Sequence, residues 1–450
     1  MIMTGKLGHK EAVAMSLGAL IGGGIFAVLG VAANIAGKAV LLSYTIAGLI
    51  ALASGYSYSK LSDHFKEDGG SFLYIKKYSG SATKAGMIAW FLILGYIGSM
   101  AMYAYAFGAF LFALIHPIIQ LHHLFHGIFS ILIIIFFLVL NLRSIESSGK
   151  SENIMVYGKI AILLLFGILG ITTLYLDSSQ TLSLGTGGTL QTLQSPLMAI
   201  SVIFVSFQGF QLLSYNLSAM EGGSGSLQKA IFQSLTIATL IYLLIAFVTT
   251  SLLSPAEILT TEETILAYAA AKMFTSLVVQ KVAFVLVAFA ALFSTASAIN
   301  ATLFSTARLL TTLADEEQVP AVFARTNNKQ IPANSLILLA LLTCIVTFIG
   351  SLHEITAYAS ISFIIIFAVV NYIAIKSHAV KLNTWIPRFG LLGTTIALAL
   401  FVFHTISNEP ELLQSIILLF GIVIVSELLY FGTKYLRINR KPRYTTPITI

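Results

Sequence analysis

The sequence predicts an all-α membrane protein of twelve transmembrane helices, arranged as a five-plus-five inverted repeat with broken helices in spans one and six. Three observations carry that expectation. The 450 residues are 57% hydrophobic and only 10% charged, with a mean hydropathy of +0.91, a composition foreign to soluble domains of this size. Uncharged apolar runs of about 20 residues, the length that crosses a bilayer, recur along the whole chain. Lys and Arg fall overwhelmingly on one side of the topology those runs define.

Span one covers 12–36 and contains three consecutive glycines, Gly22, Gly23 and Gly24, with Gly18 one turn earlier. Each helical glycine costs about 1 kcal/mol relative to alanine, so the run reads either as a helix break or, through the Gly18/Gly22 pair, as a close helix-packing surface. Span two covers 40–59. A polar segment, 62–83, follows as a cytoplasmic loop with a short helix. Spans three, four and five cover 85–114, 127–142 and 152–176. A Gly/Ser/Thr-rich loop, 177–195, leads to span six at 196–218 and span seven at 230–254. The segment 255–276 reads as an extracellular loop with one or two short helices. Spans eight to twelve cover 280–307, 333–351, 355–375, 389–407 and 412–433. The chain thus divides into a first five-helix repeat (1–176), a second (177–376), and a C-terminal part (377–450) holding helices eleven and twelve and a basic tail.

With the N-terminus inside, 21 of the 25 Lys and Arg residues are cytoplasmic; Lys38, Lys272 and Lys281 lie outside, and Lys159 lies within span five. Both termini are therefore expected in the cytoplasm, and the protein in the plasma (inner) membrane. The basic tail from Lys434 to Arg443 is read as a topology anchor at the lipid bilayer, and the +7 net charge not as a nucleic-acid footprint. The apolar run after the short basic N-terminus is read as a first membrane helix, not a signal peptide. The single cysteine, Cys344, excludes a disulfide within the chain. His116, His122, His123 and His126 cluster in an outer loop but lack Cys or acidic partners, so no metal is expected.

Span six carries Gln208 and Gln211 on either side of Gly209 and Phe210. Uncharged amides in mid-membrane need partners, so they read either as interhelical hydrogen-bonding groups or as a second helix break. Spans one and six each open a set of five, and five spans from an inside start end outside, so the second set would run inverted. Interruptions at matching positions of inverted halves are the best sequence pointer to a carrier's binding site. Helix ends at such a gap offer N–H groups to an anion and carbonyls to a cation, which suits a small zwitterion. No constellation of nucleophile, base or metal ligands stands at one membrane level, so enzyme chemistry is not expected.

These residues resemble the amino acid–polyamine–organocation (APC) family of secondary transporters. The run Gly18-Ala19-Leu20-Ile21-Gly22-Gly23-Gly24-Ile25-Phe26 is similar to that family's first-span motif, and Phe204-Val205-Ser206-Phe207-Gln208-Gly209-Phe210-Gln211 to its sixth-span motif. Further matches are Gly69-Gly70-Ser71-Phe72-Leu73-Tyr74 and Phe293-Ser294-Thr295-Ala296-Ser297-Ala298-Ile299-Asn300 with Arg308. Two departures stand out: Gly23 replaces a common hydroxyl residue, and Gln211 replaces the usual acid. The resemblance implies a LeuT/APC-like fold with an amino acid held between helices one and six. Its carboxylate would meet the N–H groups of Gly23 and Gly24, and its ammonium the carbonyls near Leu20, Val205 and Gln208; Ile21, Gly22, Phe207 and Gly209 complete the expected substrate site.

Lys159, about two turns into span five, reads on its own either as a lysine snorkelling to the cytoplasmic face or as a buried functional cation. The resemblance implies the second, since some proton-coupled members carry a lysine there in place of a sodium ion. Burial and nearby carbonyls would then let Lys159 bind and release a proton during the cycle, with Ser294 and Ser297 as its helix-eight neighbours. The expected activity is proton symport of a neutral amino acid, driven by the proton gradient with no cofactor; an amino acid or amine exchanger is the alternative. Glu427, in span twelve, is assigned to a subunit or lipid contact, and the oligomeric state is left open.

Overall fold

The structure, a computed structural model, describes residues 7–143, 149–176, 190–327, 331–377, 383–408 and 421. Among these residues it is helical, with no strand beyond one isolated bridge between Leu7 and Met220. The helices are α1 (His9–Leu20), α2 (Gly24–Ala36), α3 (Val40–Phe65), α4 (Gly70–Ser79), α5 (Ala82–Ile119), α6 (Leu124–Arg143), α7 (Gly149–Leu176) and α8 (Leu190–Ile203). A 3₁₀ segment, Phe204–Tyr215, continues from α8. There follow α9 (Gly223–Leu252), α10 (Pro255–Thr260), α11 (Ile265–Lys272), α12 (Leu277–Asp315), α13 (Ala333–Ile349), α14 (Leu352–Lys376) and α15 (Trp385–Asn408). Among the described residues, nine helical stretches are long and apolar enough to cross a membrane, and α13 is a shorter apolar helix. The first of the nine, Gly24–Phe65, carries α2 and α3 together through the turn at Gly37.

The apolar runs read from the sequence coincide with these helices, and the observed ends extend beyond several of them. Span twelve, with Glu427 and the basic tail, lies outside the described residues apart from residue 421, as does loop 177–189. Span seven was expected from 230, yet α9 begins at Gly223. Gly222, just before it, has φ +79°, a left-handed conformation open to glycine at little cost. The expected short helix after span two is α4. Its first residue, Gly70, has φ +54° and lies so close to Ser214 that a Cβ would come within 2.7 Å of its Oγ.

The second expected break takes a different form from the first. Span one is interrupted outright over 21–23, whereas span six keeps winding and tightens from α into 3₁₀ over twelve residues. Such a length is unusual, since 3₁₀ runs seldom exceed three or four residues. The tighter, narrower winding fits the space available. A Cβ on Gly209 would lie 2.5 Å from Leu20 N and 2.6 Å from Ala19 C, so the segment presses its backbone directly onto the end of α1.

At one end of the bundle the loop between α9 and α12 is lashed across it. Gly30 of α2 lies under Glu262, where a Cβ would come within 1.9 Å of the Glu262 carbonyl oxygen. Asn34 Nδ2 donates to Glu262 Oε2 (2.9 Å), and the Tyr105 hydroxyl donates to Glu263 Oε1 (2.8 Å). On the opposite side, Leu7 N–H donates to Ala219 O (2.6 Å) and Glu221 N–H to Leu7 O (2.9 Å), which ties the start of α1 to the end of span six. Burial pushes the Glu262 carboxyl above the usual carboxylate range, opposed by the Asn34 hydrogen bond and by His353 and reinforced by Glu263. A raised carboxyl favours the folded state while it stays protonated, and that contribution is lost as pH rises through its own pKa. Glu262→Gln is therefore expected to raise thermal stability at pH 8 while changing little in mild acid, a difference that melting curves at the two pH values would read.

Candidate functional site

The site is built at the interruption of span one. Ile21 N–H closes the last α-helical bond of α1, to Leu17 O at 2.8 Å, and Gly23 O accepts from Ala27 N–H at 2.8 Å to open α2. The last carbonyls of one helix and the first N–H groups of the next have no intrahelical partners. The carbonyls find theirs on three other helices. Lys159 Nζ of α7 donates to Gly18 O at 2.7 Å. The Tyr242 hydroxyl of α9 donates to Leu20 O at 2.5 Å and lies 3.1 Å from Ser206 O. The Ser294 hydroxyl of α12 donates to Ile21 O at 2.8 Å and also lies on Gly22 O. Lys159 is only 4% exposed, so it does not snorkel; its ammonium sits at the negative end of the α1 dipole, where a cation is stabilised.

Span six meets this turn from the other side. The Ser206 hydroxyl donates to Gly24 O at 3.1 Å, and Val205 N–H donates to the Ser360 hydroxyl of α14 at 3.0 Å. Phe207 is buried edge-on against Tyr242, ring centroids 5.4 Å apart. Gln208 Nε2 donates to Ser99 Oγ at 2.8 Å and to the Tyr103 hydroxyl at 2.9 Å. Gln211, in the position of the family's acid, bridges two tyrosines: it accepts from the Tyr58 hydroxyl at 3.0 Å and donates to the Tyr96 hydroxyl at 2.9 Å. Both glutamines are thus interhelical hydrogen-bonding groups, and they lie on a segment wound abnormally tight.

A cavity of about 50 Å³ lies beside the break. Its wall includes Gly18 and Ala19 of α1, Tyr103 of α5, Val156 of α7, Gln208 and Gly209, and Ser297 to Ser305 along one face of α12. Of the residues expected at the substrate site, Gln208 and Gly209 border it. Leu20, Ile21 and Gly22 stand just behind, their carbonyls held by Tyr242 and Ser294, and Gly24 packs on Ser206. Of the expected coupling residues, Ser297 borders the cavity and donates to Ser294 O of its own helix (3.0 Å), while Ser294 reaches the break itself. Gly23 is covered by the Tyr103 ring, whose Cδ1 would be 1.9 Å from a Cβ there. Tyr103 fills the space that a hydroxyl side chain at 23 would need.

Tyr242, Tyr103 and Ser99 are not singled out by the sequence. A signal existed: a tyrosine buried in an apolar span needs a partner for its hydroxyl, and the unpaired carbonyls of a broken helix are the obvious candidates.

Interrupted and retightened helices meeting around a small cavity, inside a bundle of membrane-length helices, are the architecture of a membrane carrier. The chain belongs to the amino acid permease family, whose model matches residues 7–450. It is similar to an uncharacterized protein of Methanocaldococcus jannaschii, 30% identical over 320 residues that cover 71% of each chain. It is 26% identical to the inner membrane transport protein YbaT of Escherichia coli over 93% of this chain and 94% of that one. With the human cystine/glutamate transporter it shares 23% identity over 79% of this chain and 70% of the other. The protein is an integral, multi-pass membrane protein of amino acid transport.

Proposed function

We propose that the protein is a proton-coupled symporter of neutral amino acids working by alternating access, with Lys159 as proton carrier and no cofactor beyond the proton gradient. The observation that carries this reading is the Lys159 ammonium on Gly18 O at the end of α1, a cation bridging α7 to the helix that must move. The proton is held while Gly18 O accepts it and is released when α1 draws away. The chain then has twelve spans, ten of them in two inverted sets of five with divisions near 176 and 376 and two more beyond, with both termini cytoplasmic and the plasma (inner) membrane as its site. The cavity is bordered by the N-terminal half of span one and the C-terminal half of α12, while the Glu262 and Glu263 contacts cover the outer side. This supports an inward-facing state. In the loaded state the substrate carboxylate takes the N–H groups at Gly23 and Gly24, and the ammonium takes carbonyls at Leu20, Val205 and Gln208. Substrate therefore has to displace the Tyr103 ring from Gly23 and the Tyr242 hydroxyl from Leu20. Because Lys159 is the one charged side chain at the break among the described residues, neutral substrates fit best.

The similarity to the cystine/glutamate transporter favours a second reading, an exchanger of amino acids or amines without net proton movement. Proteoliposomes holding the full chain distinguish the two. Symport predicts that an inward proton gradient drives any transported amino acid above its external concentration with no amino acid inside. Exchange predicts uptake only against an internal amino acid, indifferent to pH.

A further inference from the structure

Gln208 is held by its nitrogen and left open at its oxygen. The Ser99 hydroxyl commits its proton to Gly95 O at 2.8 Å, so the Ser99 oxygen facing Gln208 can only accept. That fixes the amide with Nε2 toward Ser99 and Tyr103 and turns Oε1 the other way. Oε1 has no hydrogen-bond partner among the described residues, although Gln208 is 3% exposed. Buried acceptors are rarely left unmatched, and each one calls for an explanation. Here the side chain borders the cavity beside the break.

We propose that Gln208 is the specificity-determining residue of this carrier, its Oε1 accepting a hydrogen bond from the side-chain hydroxyl of a small neutral amino acid of the serine and threonine class. Ser99 and Tyr103 are positioning residues that hold the amide in this orientation. The proposal rests on the amino acid symport or exchange reading above and refines its substrate class. The size of the cavity points the same way. One water needs about 10–15 Å³ of such volume, so about 50 Å³ admits a side chain of about three to five non-hydrogen atoms. A charged side chain would meet no opposite charge among the residues of the cavity wall, and a long one would not fit without opening the wall formed by α12.

The test uses isosteric pairs, threonine against valine and serine against alanine, as competitors of radiolabelled uptake into proteoliposomes holding the full chain. A site that hydrogen-bonds a substrate hydroxyl rejects the analogue lacking it far better than an apolar pocket rejects an added hydroxyl. Threonine is therefore expected to compete about tenfold or more better than valine, with serine likewise ahead of alanine. Gln208→Met, of similar volume and without the acceptor, is expected to level the pair, and Ser99→Ala to narrow the ratio by letting the amide turn. Stabilisation of the purified wild-type protein by threonine but not valine gives a readout that needs no variant to fold. Equal competition by threonine and valine in the wild type would assign Oε1 to the α-ammonium or to a bound water and overturn the proposal. A folded, transporting Gln208→Met with an unchanged ratio would do the same. If a monodisperse wild-type protein takes up no amino acid at all, the transport reading itself falls and this inference with it.

Discussion

Lys159→Ala is expected to abolish substrate accumulation under a proton gradient while leaving a residual exchange of amino acids across the membrane. The substitution removes the ammonium from Gly18 O and leaves a carbonyl at the end of α1 without its donor. A hydrogen bond to a charged group contributes about 1.5–3 kcal/mol, so substrate binding to the remodelled break is expected to weaken by about 10- to 100-fold. The more telling variant is Lys159→Arg. A guanidinium donates to the same carbonyl but does not give up its proton. It should preserve counterflow and lose the dependence on pH. Both measurements come from one proteoliposome preparation, with internal and external pH set independently. Uphill accumulation by Lys159→Ala would remove Lys159 from the coupling role.

Gly209→Ala should be strongly damaging to the site. The new Cβ would fall 2.5 Å from Leu20 N, 2.6 Å from Ala19 C and 2.8 Å from Ala19 Cβ. None of these atoms lies at the end of a side chain that can swing aside, so α1 and the 3₁₀ segment must part. Overpacking of this kind costs about 1–3 kcal/mol, occasionally more, and here it separates the two elements that build the site. Loss of uptake together with a fall of several degrees in melting temperature is the expected result. Gly158→Ala is the control, since nothing lies within 4 Å of a Cβ there. At that helical position alanine is expected to be neutral or to stabilise by about 1 kcal/mol. Equal effects from the two substitutions would mean that the approach of the backbones at 209 is not what holds the site together.

The sequence made the helical layout legible because charge and hydrophobicity vary on the scale of a whole span. It also marked the interruption at Gly22 to Gly24, where three residues of poor helix propensity coincide. Span six was harder to read. Glutamines around a glycine say that polar groups must be satisfied, but α and 3₁₀ windings share the same side-chain chemistry, and only the crowding against Ala19 decides between them. The assignment of partners was equally hidden. The Leu20 carbonyl is expected to meet the substrate ammonium, yet Tyr242, more than 200 positions away along the chain, donates to it. Periodicity within one span cannot announce such a pairing. Lys159 was ambiguous for the same reason: its depth depends on how far α7 extends, and the helix starts at Gly149, three residues before the expected 152.

The over-wound stretch of span six also has a consequence for motion. Twelve residues rising about 2.0 Å each cover about 24 Å, whereas an α-helix of the same residues covers about 18 Å. Relaxation of the whole stretch would draw its ends together by about 6 Å, slightly more than one helical pitch. A change of winding along this single rod would shift one of its ends toward one face of the membrane without any hinge residue having to swing.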